Sequence, residues 1–463
     1  MSSSAVSSDF LLEHFNRRDS AVEQRIAEGI EKNRKGTGQL RFVDGEGRSL
    51  SGVKVCGRLK RHEFLFGANA FMIDGYDSAE KNARFEEAFT GVFNSAVVPF
   101  FWADLEPQPG EYRFDRNSPK VYRRPPPDVV LDFCRKHHLT PKGHCLVWHQ
   151  IFPKWLPEKP ADVAPLIRKR LQVIGERYGK LIPYWDVVNE AMEKYMFTEV
   201  KMLPSDYVYQ AFQAAGQYFP PSAHLSLNEA TAYSWREFFD ETTGLDLLAK
   251  NLILRKARLD ILGLQYHLFF YENGGLSTRV QMMADARDIY LDPKRLFKVL
   301  DQHASCGVPM HISEVTLPCY KELANSEAFQ ADLMRELYRL WFSHASVEAI
   351  YWWNMADGAA YGKEGELCGG LLNADLSEKP AYKALRQLVR EEWVSSFEGR
   401  SGETFDFRGY YGTYELTIEH AGGKKTCEIL LSKHNETDFV ITLESQAKSA
   451  ASSRRTPSVA LTR

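Results

Sequence analysis

The chain has no run of eighteen apolar residues in its 463 positions, so nothing in it reads as a membrane-spanning helix. It has no basic excess either. Lys and Arg number 58 against 61 Asp and Glu, a formal charge of -3, which leaves no electrostatic footprint for nucleic acid. The seven cysteines (Cys56, Cys134, Cys145, Cys306, Cys319, Cys368 and Cys427) are scattered, odd in number and never spaced as CxxC. They read as reduced, buried thiols, not as a disulfide framework or a zinc set, and no metal or cofactor is expected. Residues 1–10 lack both a charged n-region and a long apolar stretch. The expectation is therefore a cytoplasmic protein without a signal peptide, or a secreted one if its N-terminus has been trimmed. No GxGxxG turn follows the first candidate barrel strand, which removes the usual support for an open dinucleotide-binding sheet. No internal repeat of fixed period is visible, and oligomeric state is not legible.

What is present suits a globular protein. Hydrophobic residues at 44% and charged residues at 26% are ordinary for a packed domain, and the length accommodates one large barrel plus a small module. Aromatic residues reach 13%, enough for a core and for stacking on sugar rings; composition does not separate the two. Residues 9–35 have the spacing of a charged amphipathic helix (Phe10, Leu11, Phe15, Val22, Ile26, Ile30), whose charges read as a solvated face. Strand-like runs at 38–43 and 52–59 flank turn material at 44–48 and predict a hairpin.

Eight near-continuous apolar runs then recur, at 64–70, 95–102, 140–148, 183–190, 224–229, 261–267, 309–315 and 349–354. Helical periodicity fills 162–179, 205–219, 244–257, 293–306 and 325–344 between them. Repeated β-then-α units with strands buried on both faces predict an α/β fold, a parallel (β/α)8 TIM barrel. After Trp393 the pattern changes to apolar–polar alternation, which predicts three or four antiparallel strands packed with the N-terminal hairpin. The expected organisation is an N-terminal helix over 1–35, a small β-sandwich from 36–62 and 400–445, a catalytic barrel over 63–398, and a disordered tail over 446–463.

Two of the barrel runs end in glutamate: Tyr184-Trp185-Asp186-Val187-Val188-Asn189-Glu190 and Met310-His311-Ile312-Ser313-Glu314-Val315. A carboxylate at the end of a buried strand is costly to desolvate, so it has a task or a partner. In a parallel barrel, reactive groups gather at the carboxyl ends of the strands. Reading those ends collects Asn69, Trp102, Asp104, His144, Trp148, His149, Asn228, Glu229, Gln265, His267, Trp352, Trp353, Asn354 and Asp357 beside the two glutamates. Gln265 and His267, two apart, share a strand face, whereas His144 and His149, five apart, do not. A structural ion pair at the barrel rim is the plainer alternative for Glu190 and Glu314. Asn228-Glu229 is a second candidate for the acid/base pair. Trp352 reads as core, and Asp357 either tunes Glu190 or His residues or caps the next helix.

Gly143-His-Cys-Leu-Val-Trp-His149, Trp185-Asp-Val-Val-Asn-Glu190, Gly263-Leu-Gln-Tyr-His267, His311-Ile-Ser-Glu314 and Trp353-Asn-Met-Ala-Asp357 follow one another in an order that resembles glycoside hydrolase family 10. That family comprises mainly endo-β-1,4-xylanases with retaining chemistry, and the resemblance spans about residues 60–395. It implies that Glu190 is the general acid/base and Glu314 the nucleophile. It further implies that Asn189 holds the sugar 2-hydroxyl and that His144 and Gln265 bind or orient around the cleaved sugar; Asn69, Trp102, Trp148 and His267, read from the strand ends, are expected to bind substrate as well. Trp353 would supply an apolar platform. His267 or His311 would donate a hydrogen bond to Glu314.

The second strand departs from the family. Where xylanases carry Glu, Asn and Lys that grip xylose units on the non-reducing side, this chain has Val97, Val98 and Phe101, with Trp102 kept; Asn354 replaces a glycine. A sugar hydroxyl left without a partner costs about 1–3 kcal/mol. The expectation is a retaining β-glycosidase for short or unusual β-glycosides. The alternatives are a conventional endo-β-1,4-xylanase, a transglycosylase and a catalytically silent carbohydrate-binding barrel.

Overall fold

The computed structural model describes residues 6–193, 203–238, 243–272, 277–435 and 437–444. The chain divides into two compact units, Met1–Lys35 with Phe64–Trp393, and Gly36–Glu63 with Val394–Arg463. Strands β1 (Lys35–Val43) and β2 (Lys54–His62) fall mainly in the smaller unit. The next eight strands are β3 (Leu65–Asn69), β4 (Ser95–Pro99), β5 (Thr140–Val147), β6 (Tyr184–Asn189), β7 (His224–Glu229), β8 (Ile261–His267), β9 (Met310–Thr316) and β10 (Val347–Trp352). They pair in parallel, each with its successor, and β10 closes the ring on β3. This is the (β/α)8 barrel expected from the apolar runs.

Strands β3, β4 and β9 are buried along their whole length, as residues covered by side chains inside and helices outside must be. The helices lie where 3.6-residue periodicity placed them: Pro160–Tyr178, Tyr207–Tyr218, Gly244–Leu254, Pro293–Ala304 and Ser326–Ser343. Their starts follow local chemistry. Thr243 and Asp246 form a reciprocal capping box, and Pro160 and Pro293 occupy first-turn positions where a missing N–H costs nothing.

The N-terminal segment differs from a single solvated helix. It forms Ser8–Leu11, Glu13–Asn16 and Ser20–Arg34, with Arg18 in the left-handed region at the break. Leu11, Phe15, Val22 and Ile26 are buried. Arg34 is buried too, and donates to the carbonyls of Phe342, His344 and Val347. These include carbonyls left unpaired where helix Ser326–Ser343 ends.

The smaller unit adds β11 (Ser396–Arg400), β12 (Phe405–Tyr410), β13 (Gly412–His420), β14 (Gly423–Leu431) and β15 (Asp438–Thr442). The predicted β1–β2 hairpin does not form. β1 lies between β12 and β15, whereas β2 lies between β11 and β13 in a four-stranded sheet. The turn at Asp44–Arg48 closes as expected, with Asp44 N–H donating to Arg48 O at 2.9 Å. The ten residues between the strands exceed a tight hairpin loop and carry the chain across to the other sheet. The β15 strand, expected to be antiparallel, pairs with β1 in parallel. Phe397 of β11 stacks on Phe407 of β12 at 4.2 Å between ring centres, joining the two sheets. Residues 446–463, expected to be a disordered tail, lie outside the described residues. Among the described residues, no helix is long and apolar enough to cross a membrane.

Candidate active site

The carboxyl ends of β5 to β10 surround an open cavity of about 620 Å³, within the size range of ligand sites. Glu190 follows β6 directly. Its backbone adopts φ 54°, a left-handed conformation uncommon outside glycine, and its N–H is tied to Asn228 O at 2.8 Å. Glu314 lies within β9 and is 4% exposed.

Gln265 connects the two. Its Nε2 lies 3.0 Å from Glu190 Oε1 and 3.2 Å from Glu314 Oε1. One nitrogen holding both oxygens limits their separation to about 6 Å, close to the ~5–5.5 Å of a retaining pair and short of the ~6.5–9.5 Å an inverting pair requires. Glu314 also accepts from Asn228 Nδ2 at 2.7 Å and is 3.1 Å from His267 Nε2. His267 is oriented in turn by Thr316 Oγ1, 2.8 Å from its Nδ1. Several donors converging on one carboxylate suit a nucleophile that acts as an anion.

Glu190 has a different environment. Trp148 Nε1 donates to its Oε2 at 2.9 Å and Gln150 Nε2 to the same oxygen at 3.2 Å. Desolvation first, then the charge of Glu314, push the Glu190 carboxyl up to about 8, although Gln265 and Trp148 pull the other way. Two carboxyls whose surroundings set them apart in this way can divide acid and nucleophile roles.

Beneath the pair lies a buried charge chain. Lys142 Nζ is 3.0 Å from Asp186 Oδ1, and His144 Nδ1 is 3.0 Å from Asp186 Oδ2, with all three residues about 1% exposed. Burial disfavours a charged His144, yet the Cys145 sulfur, Glu314 and Asp186 outweigh it and hold the imidazole well above its ordinary value. His144 Nδ1 lies 3.9 Å from Glu314 Oε1, so the chain ends at Glu314. Replacing Asp186 with asparagine leaves Lys142 buried without its counter-ion. Urea denaturation is expected to show a loss of about 3–5 kcal/mol; an unchanged midpoint would contradict this account of the network.

Of the predicted site residues, His144, Trp148, Asn189, Glu190, Gln265, His267, Glu314 and Trp353 all line the cavity. Asn69 and Trp102 do not. Trp102 sits in a short helix, Trp102–Leu105, that carries it away from the barrel mouth. It is 3% exposed, donates to Glu106 Oε2 at 2.8 Å and packs on Phe152 and Trp155. Asn69, 3% exposed, is likewise enclosed. His311 is buried between the Tyr184 and Tyr351 rings and does not contribute the expected bond to Glu314. Glu229 is also pushed up to about 8 by burial, but its oxygens accept the N–H groups of Ala230 and Met192 and it does not line the cavity. Asp357 neither tunes Glu190 nor caps a helix; it accepts from Gly370 N and Lys379 Nζ.

Four positions mark the departures. Val97 and Phe101 join Leu65, Phe71, Tyr351 and Trp353 in one apolar cluster. Val98 is fully buried outside it, and Asn354 Nδ2 donates to Glu364 Oε2 at 2.7 Å. The sequence marked Asn228 only as part of a second acid/base candidate, and its part in holding Glu314 carried no signal. Asn228 donates to both Glu314 and Asn189, and Gly263 makes room for it, since a Cβ there would stand 2.2 Å from Asn228 Oδ1. Gln150, Arg236, Phe269, Tyr271 and Glu364 also line the cavity, from loops and helical turns too short to carry a periodic signal. Among the described residues, no group of three His, Cys, Asp or Glu could hold a metal ion.

The model of glycosyl hydrolase family 10 matches residues 99–388. Anti-sigma-I factor RsgI6 of Acetivibrio thermocellus is 24% identical over 89% of this chain, and endo-1,4-beta-xylanase 2 of Arabidopsis thaliana is 23% identical over 87%. The chain spans 48% of the former and 34% of the latter, half their length or less. Among solved structures, xylanase 10B of Thermotoga maritima superposes with a TM-score of 0.55 at 19% identity, covering 71% of this chain and 96% of that one, a likeness of fold. The family match extends over more than half of the sequence, and the chain belongs to glycosyl hydrolase family 10.

Proposed function

We propose that this chain is a retaining β-glycoside hydrolase of the xylanase-like kind, with its sugar-binding surface altered on the non-reducing side so that it acts on short or unusual β-glycosides. The observation that carries the reading is the Gln265 bridge between Glu190 and Glu314. Glu190, protonated at neutral pH because its carboxyl is pushed up to about 8, gives its proton to the departing glycosidic oxygen. Glu314 attacks the anomeric carbon from the opposite face, and a glycosyl ester forms as the C–O bond breaks. With the charge of Glu314 consumed in that ester, the largest charge effect that raises Glu190 disappears. Glu190 then accepts a proton from water, which displaces Glu314 and regenerates both groups.

Asn228 and Gln265 hold the nucleophile through both steps, and Asn189 is placed between them to meet the sugar 2-hydroxyl. Trp353, 8% exposed and edge-on to the His144 and His267 rings, offers an apolar face to the cleaved sugar. A 2-fluoro β-glycoside with a good leaving group tests the assignment. Intact-mass and peptide mapping are expected to find one glycosyl adduct, on Glu314. Turnover without an adduct, or an adduct on Glu229, would contradict it.

A further inference from the structure

Among the described residues, the cavity is lined from the ends of β5 to β10 and from the loops that follow them, with nothing from β3 or β4. The space above those two strands is filled. Phe71 meets Phe101 edge-on at 5.6 Å and Trp353 at 5.3 Å, and Phe101 in turn lies 5.4 Å from the His144 ring and 5.7 Å from Trp148. The wall therefore stands directly against the side chains that flank the carboxylate pair. It is also clamped from behind. The Arg124 guanidinium lies 3.9 Å over the Phe101 ring and donates to Asp104 at 2.9 Å, while Arg123 donates to Ala359 O. These contacts tie the loop after β4 to the loop after β10.

Resting on the hydrolase reading above, we propose that the site accepts a single sugar ring on the non-reducing side of the bond it cuts, so that the enzyme removes terminal residues and does not cleave internal linkages. An endo-acting cleft has to be open at both ends. This one stops at Phe71 and Phe101, and Phe71 lines a separate cavity beyond the wall.

Glu364 supplies the recognition that such a dead end needs. Its carboxylate lines the cavity with Trp353 and is held by Asn354 Nδ2 at 2.7 Å. Asn354 is 4% exposed, and its Oδ1 has no hydrogen-bond partner. Asn354 does not line the cavity; it fixes the Glu364 carboxylate, which faces the cavity and accepts hydrogen bonds. A terminal ring offers that carboxylate a free hydroxyl, whereas an extended chain presents an ether oxygen that cannot donate and leaves it unpaired. Glu364 thus converts the closed end into a selection for chain termini.

The test compares 4-nitrophenyl β-xyloside and β-glucoside with the corresponding 4-nitrophenyl biosides, following the earliest products by chromatography. From a bioside, the expected first products are a monosaccharide and the aryl monoside, with nitrophenol appearing after a lag. A disaccharide and nitrophenol from the outset would overturn the proposal. Glu364→Gln, which adds a donor able to meet an ether oxygen, is expected to raise the share of disaccharide over monosaccharide among the first products from a bioside roughly tenfold; an unchanged product ratio overturns the role of Glu364. Absence of cleavage of any of these glycosides together with absence of a fluoro-sugar adduct overturns the hydrolase reading, and this proposal with it. Adduct formation with disaccharide release overturns this proposal alone.

Discussion

Glu314→Ala is expected to lower kcat by about 10⁵–10⁶-fold, the scale on which removing a covalent nucleophile abolishes a catalytic unit. The reason is positional. Glu314 receives Asn228 at 2.7 Å and Gln265 at 3.2 Å, and His267 lies 3.1 Å from its second oxygen. No other described carboxylate stands so arranged opposite Glu190. Glu229, the nearest rival in sequence pattern, spends its oxygens on two backbone N–H groups. Substrate binding is expected to survive the change, because Trp148, Trp353 and Asn189 are untouched. Rate measurements on an activated aryl glycoside, with binding followed separately, check this. Residual activity within tenfold of the parent would contradict the assignment.

Glu190→Ala is expected to separate the two chemical steps. For glycosides with a poor leaving group, kcat/KM falls by about 10²–10⁴-fold, the contribution of a positioned general acid. For a dinitrophenyl glycoside, whose departure requires no proton, the first step is nearly unaffected and breakdown of the ester becomes limiting. Added azide, a nucleophile that needs no base, is expected to restore turnover. The pH profile follows from the same carboxyl. Glu190 keeps its proton until about pH 8 in the fold, so kcat/KM for poor leaving groups declines as pH rises through that value, and the variant loses this alkaline limb. Stability carries the same sign. The unfolded chain releases this proton in the ordinary carboxylate range, so the folded state loses stability as pH rises from there to about 8. Both profiles are measurable on one preparation, and an alkaline limb that persists in the variant would assign it to another group.

The barrel was legible because its strands are buried on both faces. Burial on both faces leaves continuous apolar runs, and the eight runs matched β3 to β10 to within a few residues. The candidate pair was legible for a related reason, since a carboxylate ending such a run stands out against its apolar neighbours. The smaller unit was harder. β1 and β2 each alternate in a way that any partner could satisfy, and no local signal says that the chain crosses between sheets after Asp44–Arg48 instead of turning back. Trp102 was misplaced because its strand ends at Pro99 and a four-residue helix starts at Trp102, whose ring packs on Phe152 and Trp155, a change smaller than periodicity resolves. Glu364 and Arg236 escaped notice because they lie in short helical turns after the strands, where position is set by tertiary contacts such as Asn354 to Glu364 and not by spacing. The apolar character of Val97 and Phe101 was visible in the sequence. That they join Phe71 and Trp353 in a wall required the fold.

The account stands most directly on the stereochemistry of the first product. Proton NMR of the anomeric signal, recorded within seconds of mixing enzyme and an aryl β-glycoside, is expected to show the β-anomer forming first and the α-anomer growing only by mutarotation. An α-anomer at the outset would mean a single displacement by water, and would contradict the pairing of Glu190 and Glu314 as acid and nucleophile.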